Sequence, residues 1–132
     1  MKNIFGASFL TQSPEPERHI NDAESDGIKI SVVVIAKNAE ATIQKCLDSV
    51  VRQTRLPDDV VVVVGDSSDR TRDIVSSYPC KLISSPGKDT YGSARNKGVA
   101  EASGNVIAFL DADDYADQNW IACMQVIIKP RK

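Results

Sequence analysis

The sequence predicts an α/β fold, with a doubly wound and mainly parallel β-sheet in three α/β/α layers. Three runs of apolar and largely β-branched residues, at positions 28–35, 60–64 and 106–110, indicate strands. The last two runs have the continuous apolar character of strands buried on both faces. Segments with helical apolar spacing lie between the runs, and this alternation is typical of a parallel sheet with crossover connections.

The first part of the fold follows a polar leader. Residues 1–27 have too few apolar side chains to order themselves, so we expect a flexible leader, with residues 28–132 forming a single domain. After the strand at 28–35, Asn38 can cap a helix that continues to about Gln53. The apolar residues at helical spacing in this helix are Ile43, Leu47, Val50 and Val51.

The second strand and third strand frame another helix. The strand at 60–64 leads into a loop in which Ser68 or Asp69 is the expected cap of this helix. Pro79 is expected to end the helix, because proline cannot continue it. A short third strand is predicted at 81–84.

A helix, a strand and a second helix are predicted for the last part of the chain. A helix is predicted over 90–102, closed by Gly104, before the strand at 106–110. The apolar residues of the last helix are Trp120, Ile121, Met124, Ile127 and Ile128. Four strands are fewer than the roughly five or six of an average sheet, so we expect the domain to be cut short or completed by another chain. An uncovered sheet edge and this apolar helix also favour a homodimer.

Composition narrows the classes of function. The net charge of -2 and the 5% aromatic content argue against nucleic-acid binding. One histidine, His19, and the widely spaced Cys46, Cys80 and Cys123 argue against a zinc site or disulfide framework, and we expect all three cysteines to be buried.

No apolar run reaches the about 20 residues that span a bilayer. We therefore expect a cytoplasmic protein, free or peripheral at the inner face of the cell membrane.

Three carboxylates follow the strand at 106–110, namely Asp111, Asp113 and Asp114. Ligands of open α/β sheets bind outside the carboxyl ends of the strands, where unpaired carboxylates would repel one another. A divalent cation relieves this repulsion, and oxygen-only ligands suit Mg²⁺ or Mn²⁺, which often complete their shells with substrate phosphates. Asp111 and Asp113 are the candidate ligands because they share one face across Ala112. Asp114 is better explained as a neighbour or a cap.

Other polar residues are predicted at the same edge of the sheet. Asp66, directly after the strand at 60–64, could accept hydrogen bonds from a base or a ribose. Asn38 is explained equally well as a helix cap or as a ligand contact. Arg95 could supply charge to a phosphate, although spacing alone favours a solvated charge on its helix.

Five motifs, in order along the chain, are similar to those of one enzyme family. They are an opening strand and loop (31–43), a helix segment (47–54), an aspartate-rich loop (64–71), an arginine-containing helix (92–98) and the DxD segment (109–114). Together they resemble the inverting glycosyltransferases of family 2, which have a Rossmann-like GT-A fold. The resemblance covers the N-terminal, nucleotide-sugar-binding half of that family.

The resemblance implies a nucleotide-diphosphate sugar donor, UDP- or GDP-linked, and a Mn²⁺ or Mg²⁺ cofactor. It implies that Asp66 contacts the base and that Arg95 contacts the nucleotide. It also implies that Asp111 meets the ribose or the metal shell, and that Asp113 holds the metal. The nucleotide-sugar pocket that the resemblance implies is lined by Ala36, Lys37, Glu40, Asp66, Arg95, Asp111 and Ala112. Lys37 replaces a tyrosine that is frequent in the family.

The catalytic base is not identified. The family's acceptor-binding half carries the Asp or Glu that deprotonates the acceptor hydroxyl, and no residue of this sequence matches it. We therefore expect donor binding, with transfer absent or dependent on further residues. The alternatives are an inactive nucleotide-sugar-binding module, a truncated fragment, or a nucleotidyltransferase. The lack of glycine in the loop 36–40 counts against the nucleotidyltransferase and against a dinucleotide-binding dehydrogenase.

Overall fold

Strands and helices alternate along the described part of the protein. The structure is a computed structural model that describes residues 27–87 and 90–128, so the predicted leader, apart from Gly27, lies outside the described residues. The elements in chain order are β1 (Ile30–Ala36), α1 (Ile43–Val51), β2 (Asp59–Gly65), α2 (Thr71–Ser76), β3 (Lys81–Ser85), α3 (Tyr91–Glu101), β4 (Val106–Asp111) and α4 (Trp120–Ile128).

The described strands form one sheet in the order β3-β2-β1-β4. Every neighbouring pair is parallel, so the predicted parallel α/β fold is confirmed. β1 lies inside the sheet, with Ile35 opposite both Val63 of β2 and Asp111 of β4. The carboxyl ends of β1, β2 and β4 therefore meet at one edge of the sheet.

The sheet has an apolar core on each face. Ile30, Val32 and Val34 of β1 are fully buried on one face, where residues of α1, α2 and α4 pack against them. Val33 points to the other face and packs in a smaller cluster with Ala94 of α3. This alternation follows from the two-residue period of a strand. The prediction of helices on both faces is confirmed.

The prediction that Asn38 caps α1 is wrong. α1 begins at Ile43, and Thr42 occupies its N-cap position without a capping side-chain hydrogen bond. Asn38 instead has a left-handed φ of 48°, a conformation that asparagine tolerates. Its main-chain N donates to Ser67 Oγ at 3.0 Å, and its Oδ1 accepts from Ser68 N at 2.9 Å. Asn38 therefore joins two loops.

The predicted limits of α2 need correction. The N-cap position belongs to Arg70, not to Ser68 or Asp69, although Asp69 Oδ1 accepts a hydrogen bond from Thr71 N at 3.0 Å. The helix ends at Ser76, before Pro79 is reached. Beyond Ser76 the chain continues in tighter turns, in which Ser77 N donates to Ile74 O at 3.1 Å and Tyr78 N donates to Val75 O at 3.0 Å, directly before Pro79.

Gly104 does not close α3, as the sequence predicted. The C-cap of α3 is Ala102, whereas Gly104 packs on the start of β1. An added Cβ at Gly104 would lie 2.5 Å from Lys29 O and 2.8 Å from Ser31 Oγ. A glycine is needed there because two stretches of main chain approach each other closely.

The cysteines differ in burial. Cys46 is buried as predicted, but Cys80 is half-buried and Cys123 is exposed on α4. The prediction for Cys123 is therefore wrong, because it faces away from the sheet that α4 covers. In residues 27–87 and 90–128, none of the helices has the length and apolar character needed to span a membrane.

Gly98 allows α3 to pack tightly on the sheet. An added Cβ would lie 2.5 Å from Val33 Cγ1 and 3.2 Å from Val63 Cγ2, and valine side chains are stiff. We expect Gly98→Ala to lower the free energy of unfolding by about 1–3 kcal/mol through overpacking, measured by urea unfolding. Gly92→Ala is the matched control in the same helix, because its Cβ would meet only Thr90 Oγ1, at 3.9 Å. Equal stability of the two variants would contradict this packing.

Candidate functional site

Two adjoining cavities open at the carboxyl ends of β1, β2 and β4. The carboxylate cavity, of about 700 Å³, is lined in part by Asp111, Ala112 and Asp113. The Asp66 cavity, of about 150 Å³, is lined in part by Ala36 and Asp66. The residues that line both cavities, and therefore form the wall between them, are Ile35, Lys37 and Tyr91.

The carboxylates of the larger cavity lie on a turn at the end of β4. Asp111 is the last residue of that strand, and its main-chain O accepts a hydrogen bond from Asp114 N at 3.0 Å. The Cys46 thiol donates to the same oxygen at 3.5 Å. Ala112 packs against the core, while Asp111 and Asp113 are exposed and line the cavity. The turn therefore directs two carboxylates to one side.

The Cys46 thiol is a structural donor. Burial, followed by the charges of Asp114, Asp113 and Asp111, raises the pKa of this thiol to about 12. The thiol therefore stays protonated at neutral pH, and its role is to hold the turn and not to act as a nucleophile. Because the charges of all three carboxylates raise the pKa of this one thiol, their negative charge is concentrated beside α1.

The carboxylates alone do not form a metal cage. Among the described residues, no three His, Cys, Asp or Glu side chains are grouped so that they could hold a metal ion. Asp111 and Asp113 are the side chains in the carboxylate cavity that could bind one. Mg²⁺ is commonly bound by one or two carboxylates together with water and substrate phosphates. The donor set therefore fits a cation that is bound together with a phosphate ligand.

The Asp66 cavity is bounded by main chain and by a lysine. Gly87 N donates to Asp66 Oδ2 at 2.8 Å, and Gly87 has a left-handed φ of 75° that glycine adopts without strain. The stem of Lys37 packs over Gly65, where an added Cβ would lie 3.4 Å from Lys37 Cδ. Lys37 therefore brings a positive charge to the wall between the cavities.

The loops that follow β1 and β2 are hydrogen-bonded to each other beyond the Asn38 contacts. Ala39 N donates to Thr71 Oγ1 at 2.8 Å, and Glu40 N donates to Asp69 Oδ2 at 3.1 Å. In return, Glu40 Oε1 accepts from Arg70 N at 3.4 Å. These contacts hold the loop after β1, including Lys37, in a fixed relation to the loop that carries Asp66.

Asp69 accepts hydrogen bonds from Glu40 N in the neighbouring loop and from the main chain and hydroxyl of Thr71. The Thr71 hydroxyl is the main cause that lowers the pKa of Asp69, burial acts against it, and the main-chain N–H groups of Thr71 and Glu40 add to the lowering. Asp69 is therefore ionised in the folded protein at neutral pH.

A buried glutamine holds the segment that follows the carboxylates. Gln53 lies beyond the end of α1 and is 5% exposed. Its Nε2 donates to Asp117 O at 2.6 Å, and its Oε1 accepts from Ile121 N at 2.9 Å, which satisfies a main-chain donor in the first turn of α4. Ser49 Oγ accepts from Ala116 N at 2.9 Å. Side chains of α1 and its end thus fix the chain between β4 and α4.

Most of the predicted site residues are brought together. Those that line the two cavities are Ala36, Lys37, Asn38, Asp66, Asp111, Ala112 and Asp113. Glu40 and Arg95 are not among the described lining residues. Glu40 bonds to the loop after β2, and the Arg95 guanidinium lies 4.0 Å from the centroid of the Phe109 ring. The ligand contacts of all these residues stay predictions.

Sequence reasoning missed three residues that shape the site, namely Gln53, Thr71 and Tyr91. A signal existed for Gln53, because it follows the apolar positions of α1 at the same helical spacing and so falls on the buried side. Tyr91 and Thr71 carry no comparable signal, because their roles depend on partners in other loops.

One family model matches most of the chain. The model is that of glycosyl transferase family 2, and the match covers residues 31–127. The chain belongs to glycosyl transferase family 2. The membership that the motifs predicted is therefore confirmed, and it favours a glycosyltransferase over a nucleotidyltransferase.

Curated relatives agree with the family. A validoxylamine A glucosyltransferase of Streptomyces hygroscopicus subsp. limoneus is 38% identical over 99 residues, which cover 70% of this chain and 22% of that protein. The UDP-Glc:alpha-D-GlcNAc-diphosphoundecaprenol beta-1,3-glucosyltransferase of Escherichia coli is 37% identical over 100 residues, which cover 74% of this chain and 38% of that protein. The chain thus spans well under half the length of either relative.

Solved structures of two further proteins share the fold. TarS of S. aureus in complex with UDP-GlcNAc is 31% identical, with a TM-score of 0.66 over 76% of this chain and 31% of that one. Glucosyl-3-phosphoglycerate synthase of Mycobacterium tuberculosis, in complex with Mn²⁺, UDP and phosphoglyceric acid, is 26% identical. Its TM-score is 0.61, over 79% of this chain and 40% of that one.

The Thr71 hydroxyl is expected to set the ionisation of Asp69. Because the pKa of Asp69 is lowered in the folded protein, ionised Asp69 stabilises the fold above the ordinary Asp range, and this stabilisation is lost as the pH falls through the lowered pKa. We expect Thr71→Val to return the pKa of Asp69 towards its ordinary value and to remove this pH-dependent contribution. Carboxyl NMR titration and acid unfolding measure both effects. Thr71→Ser, which keeps the hydroxyl, should behave as the parent protein, and an unchanged Asp69 pKa in Thr71→Val would refute the assignment.

Proposed function

We propose that this chain binds a UDP-sugar together with Mn²⁺ or Mg²⁺, as the donor-binding half of an inverting glycosyltransferase. The observation that carries the proposal is the pair of adjoining cavities, with Asp66 in one and Asp111 and Asp113 in the other. TarS, which shares this fold, is described in complex with UDP-GlcNAc. We therefore prefer UDP over GDP as the nucleotide.

Each part of the donor has a cavity that suits it chemically. The Asp66 cavity is sized for a single ring, and the Asp66 carboxylate accepts a hydrogen bond from the N–H of uracil. The ribose hydroxyls lie at the wall between the cavities, within reach of Asp111. The diphosphate and the sugar occupy the larger cavity, near Lys37 and Asp113. In this proposal Glu40 and Arg95 add contacts to the nucleotide from the loop after β1 and from α3.

Asp113, with Asp111, would hold the divalent cation. Such a cation would supply positive charge that stabilises the negative charge developing on the departing UDP. Glucosyl-3-phosphoglycerate synthase is described with Mn²⁺ and UDP together, which supports this pairing. Because the described residues form no cage of three or more protein ligands, we expect the cation to bind much more tightly when UDP is present.

Transfer requires an acceptor and a base in addition to the donor site. The acceptor hydroxyl attacks the anomeric carbon opposite the diphosphate, its proton passes to a base, and the bond from that carbon to the phosphate oxygen breaks, so the configuration inverts. No residue of this chain is assigned as that base. The Escherichia coli relative is named for a diphosphoundecaprenol-linked acceptor, which supports a location at a membrane surface. We propose the cytoplasmic, inner face of the cell membrane. The competing proposal is a donor-binding module without transfer, and detection of donor hydrolysis or transfer would exclude it.

The proposed donor site is tested by calorimetric titration of UDP and GDP with Mn²⁺ and with EDTA. We expect UDP to bind with Mn²⁺ and Asp113→Asn to weaken that binding by roughly tenfold or more, because the variant loses a charged ligand of the cation. Asp73→Asn is the matched control, since Asp73 lies exposed on α2, outside the described linings of both cavities. Absence of UDP binding by the parent protein in every condition would refute the proposal.

We also propose that the chain self-associates through α4. Val126 and Ile127 of this helix are 74% and 80% exposed, and apolar side chains so exposed on one helix favour burial against a partner. We expect the parent protein to be a dimer and the variant Val126→Lys/Ile127→Lys to be a monomer in sedimentation equilibrium. Val99→Lys, at an exposed apolar position of α3, is the control that should leave the dimer intact. A parent protein that is monomeric at all concentrations would contradict the proposal.

A further inference from the structure

Tyr91 stands at the boundary between the two cavities. It is the first residue of α3 and lines both the Asp66 cavity and the carboxylate cavity. The Thr90 side chain caps the helix by accepting a hydrogen bond from Ser93 N at 3.0 Å, which fixes the main chain beside Tyr91. Tyr91 is nevertheless 54% exposed. Its ring is therefore held at a defined place while one side stays open to a ligand.

The Tyr91 hydroxyl reaches the carboxylate turn. It donates to Asp111 Oδ1 at 3.4 Å, a long hydrogen bond that joins α3 to the end of β4. Because only Oδ1 is engaged in this contact, Oδ2 can face a cation. Hydrogen bonds to carboxylates that bind a metal fix their orientation, and their loss typically costs about 10- to 100-fold in metal affinity.

The ring and the hydroxyl of Tyr91 are placed to act on different parts of the proposed ligand. Its ring faces the space proposed for the nucleoside, and aromatic side chains are good stacking surfaces for bases. Its hydroxyl touches a carboxylate proposed for the cation. The Arg95 guanidinium lies 5.8 Å from the centroid of the same ring, so a positive charge is close by. The Tyr91 side chain thus contributes to both the Asp66 cavity and the carboxylate cavity.

We propose that Tyr91 is a positioning residue that couples nucleoside binding in the Asp66 cavity to cation binding at Asp111 and Asp113. A nucleoside that packs against the ring holds the hydroxyl on Asp111 Oδ1 and thereby orients Oδ2 towards the cation. This inference rests on the proposed function, because it assumes that UDP and the cation bind in these cavities.

The test compares Tyr91→Phe with the parent protein, both as the full chain. Binding of Mn²⁺ is followed by electron paramagnetic resonance of the free ion, with and without UDP, and binding of UDP is measured by calorimetry in EDTA. We expect Tyr91→Phe to weaken Mn²⁺ binding in the presence of UDP by about tenfold, while UDP binding in EDTA is unchanged. Tyr91→Ala should weaken UDP binding in EDTA as well, because the ring is lost.

Tyr115→Phe is the matched control. Tyr115 is an exposed tyrosine, 59% accessible, that follows the same carboxylate turn but stands outside the described linings of both cavities. The Lys45 ammonium lies 4.0 Å from the centroid of the Tyr115 ring, and phenylalanine would preserve this cation–π contact. This variant should bind Mn²⁺ and UDP as the parent protein does, and thermal unfolding should show that all three variants are folded.

The outcomes separate the two proposals. If the parent protein binds UDP with Mn²⁺ and Tyr91→Phe binds both equally well, the coupling is refuted and the donor site stands. If the parent protein binds no UDP, the proposed function fails and the coupling fails with it. Selective loss of Mn²⁺ affinity in Tyr91→Phe, with UDP binding in EDTA preserved, supports the coupling, because a general structural defect would weaken both.

Discussion

The site depends on the parallel pairing of β1 with two neighbours. β2 and β4 flank β1 in register, so Ile35 has Val63 on one side and Asp111 on the other. A parallel sheet sends all its strand ends to one edge, and loops far apart in the chain therefore meet there. Without this pairing, Asp66 and Asp111 would not lie in adjoining cavities, and no local sequence preference could bring them together. The runs of valine that build the sheet are thus also what positions the polar residues.

Two separate sets of hydrogen bonds hold the loops at the carboxyl edge of the sheet. Thr71 and Asp69 join the loop after β1 to the loop after β2, while Gln53 fixes the chain that follows the carboxylate turn. Thr71 and Gln53 are buried, and a buried polar group that loses its hydrogen-bond partner is destabilising, so these two side chains help to define the shape of the site. Tyr91 lies between the two sides and is more than half exposed. The side chain that lies between the two cavities is therefore accessible to a ligand.

The sequence predicts the elements that depend on periodicity and fails for contacts that depend on tertiary structure. The apolar runs predict β1, β2 and β4, and the carboxylates after the last run predict where the polar edge lies. The sequence alone leaves Asn38 undecided because asparagine suits both a helix cap and a left-handed turn, and the hydrogen bonds to Ser67 and Ser68 decide against the cap. The prediction for Gly104 fails for a similar reason, since its close neighbour is Lys29, which is distant along the chain.

The proposed ligand suits a site that has carboxylates but no preformed metal cage. Within the described residues, the cavities combine Asp66, Asp111 and Asp113 with the charge of Lys37, and no preformed metal cage is present. A site of this kind binds a bare cation weakly, because two carboxylates replace only part of its hydration shell. A diphosphate supplies further oxygen ligands, so each ligand increases the affinity for the other, as linkage requires. In the proposed site, the same reciprocity would link the affinity for UDP to the affinity for the cation, and the orientation of Asp111 would affect both.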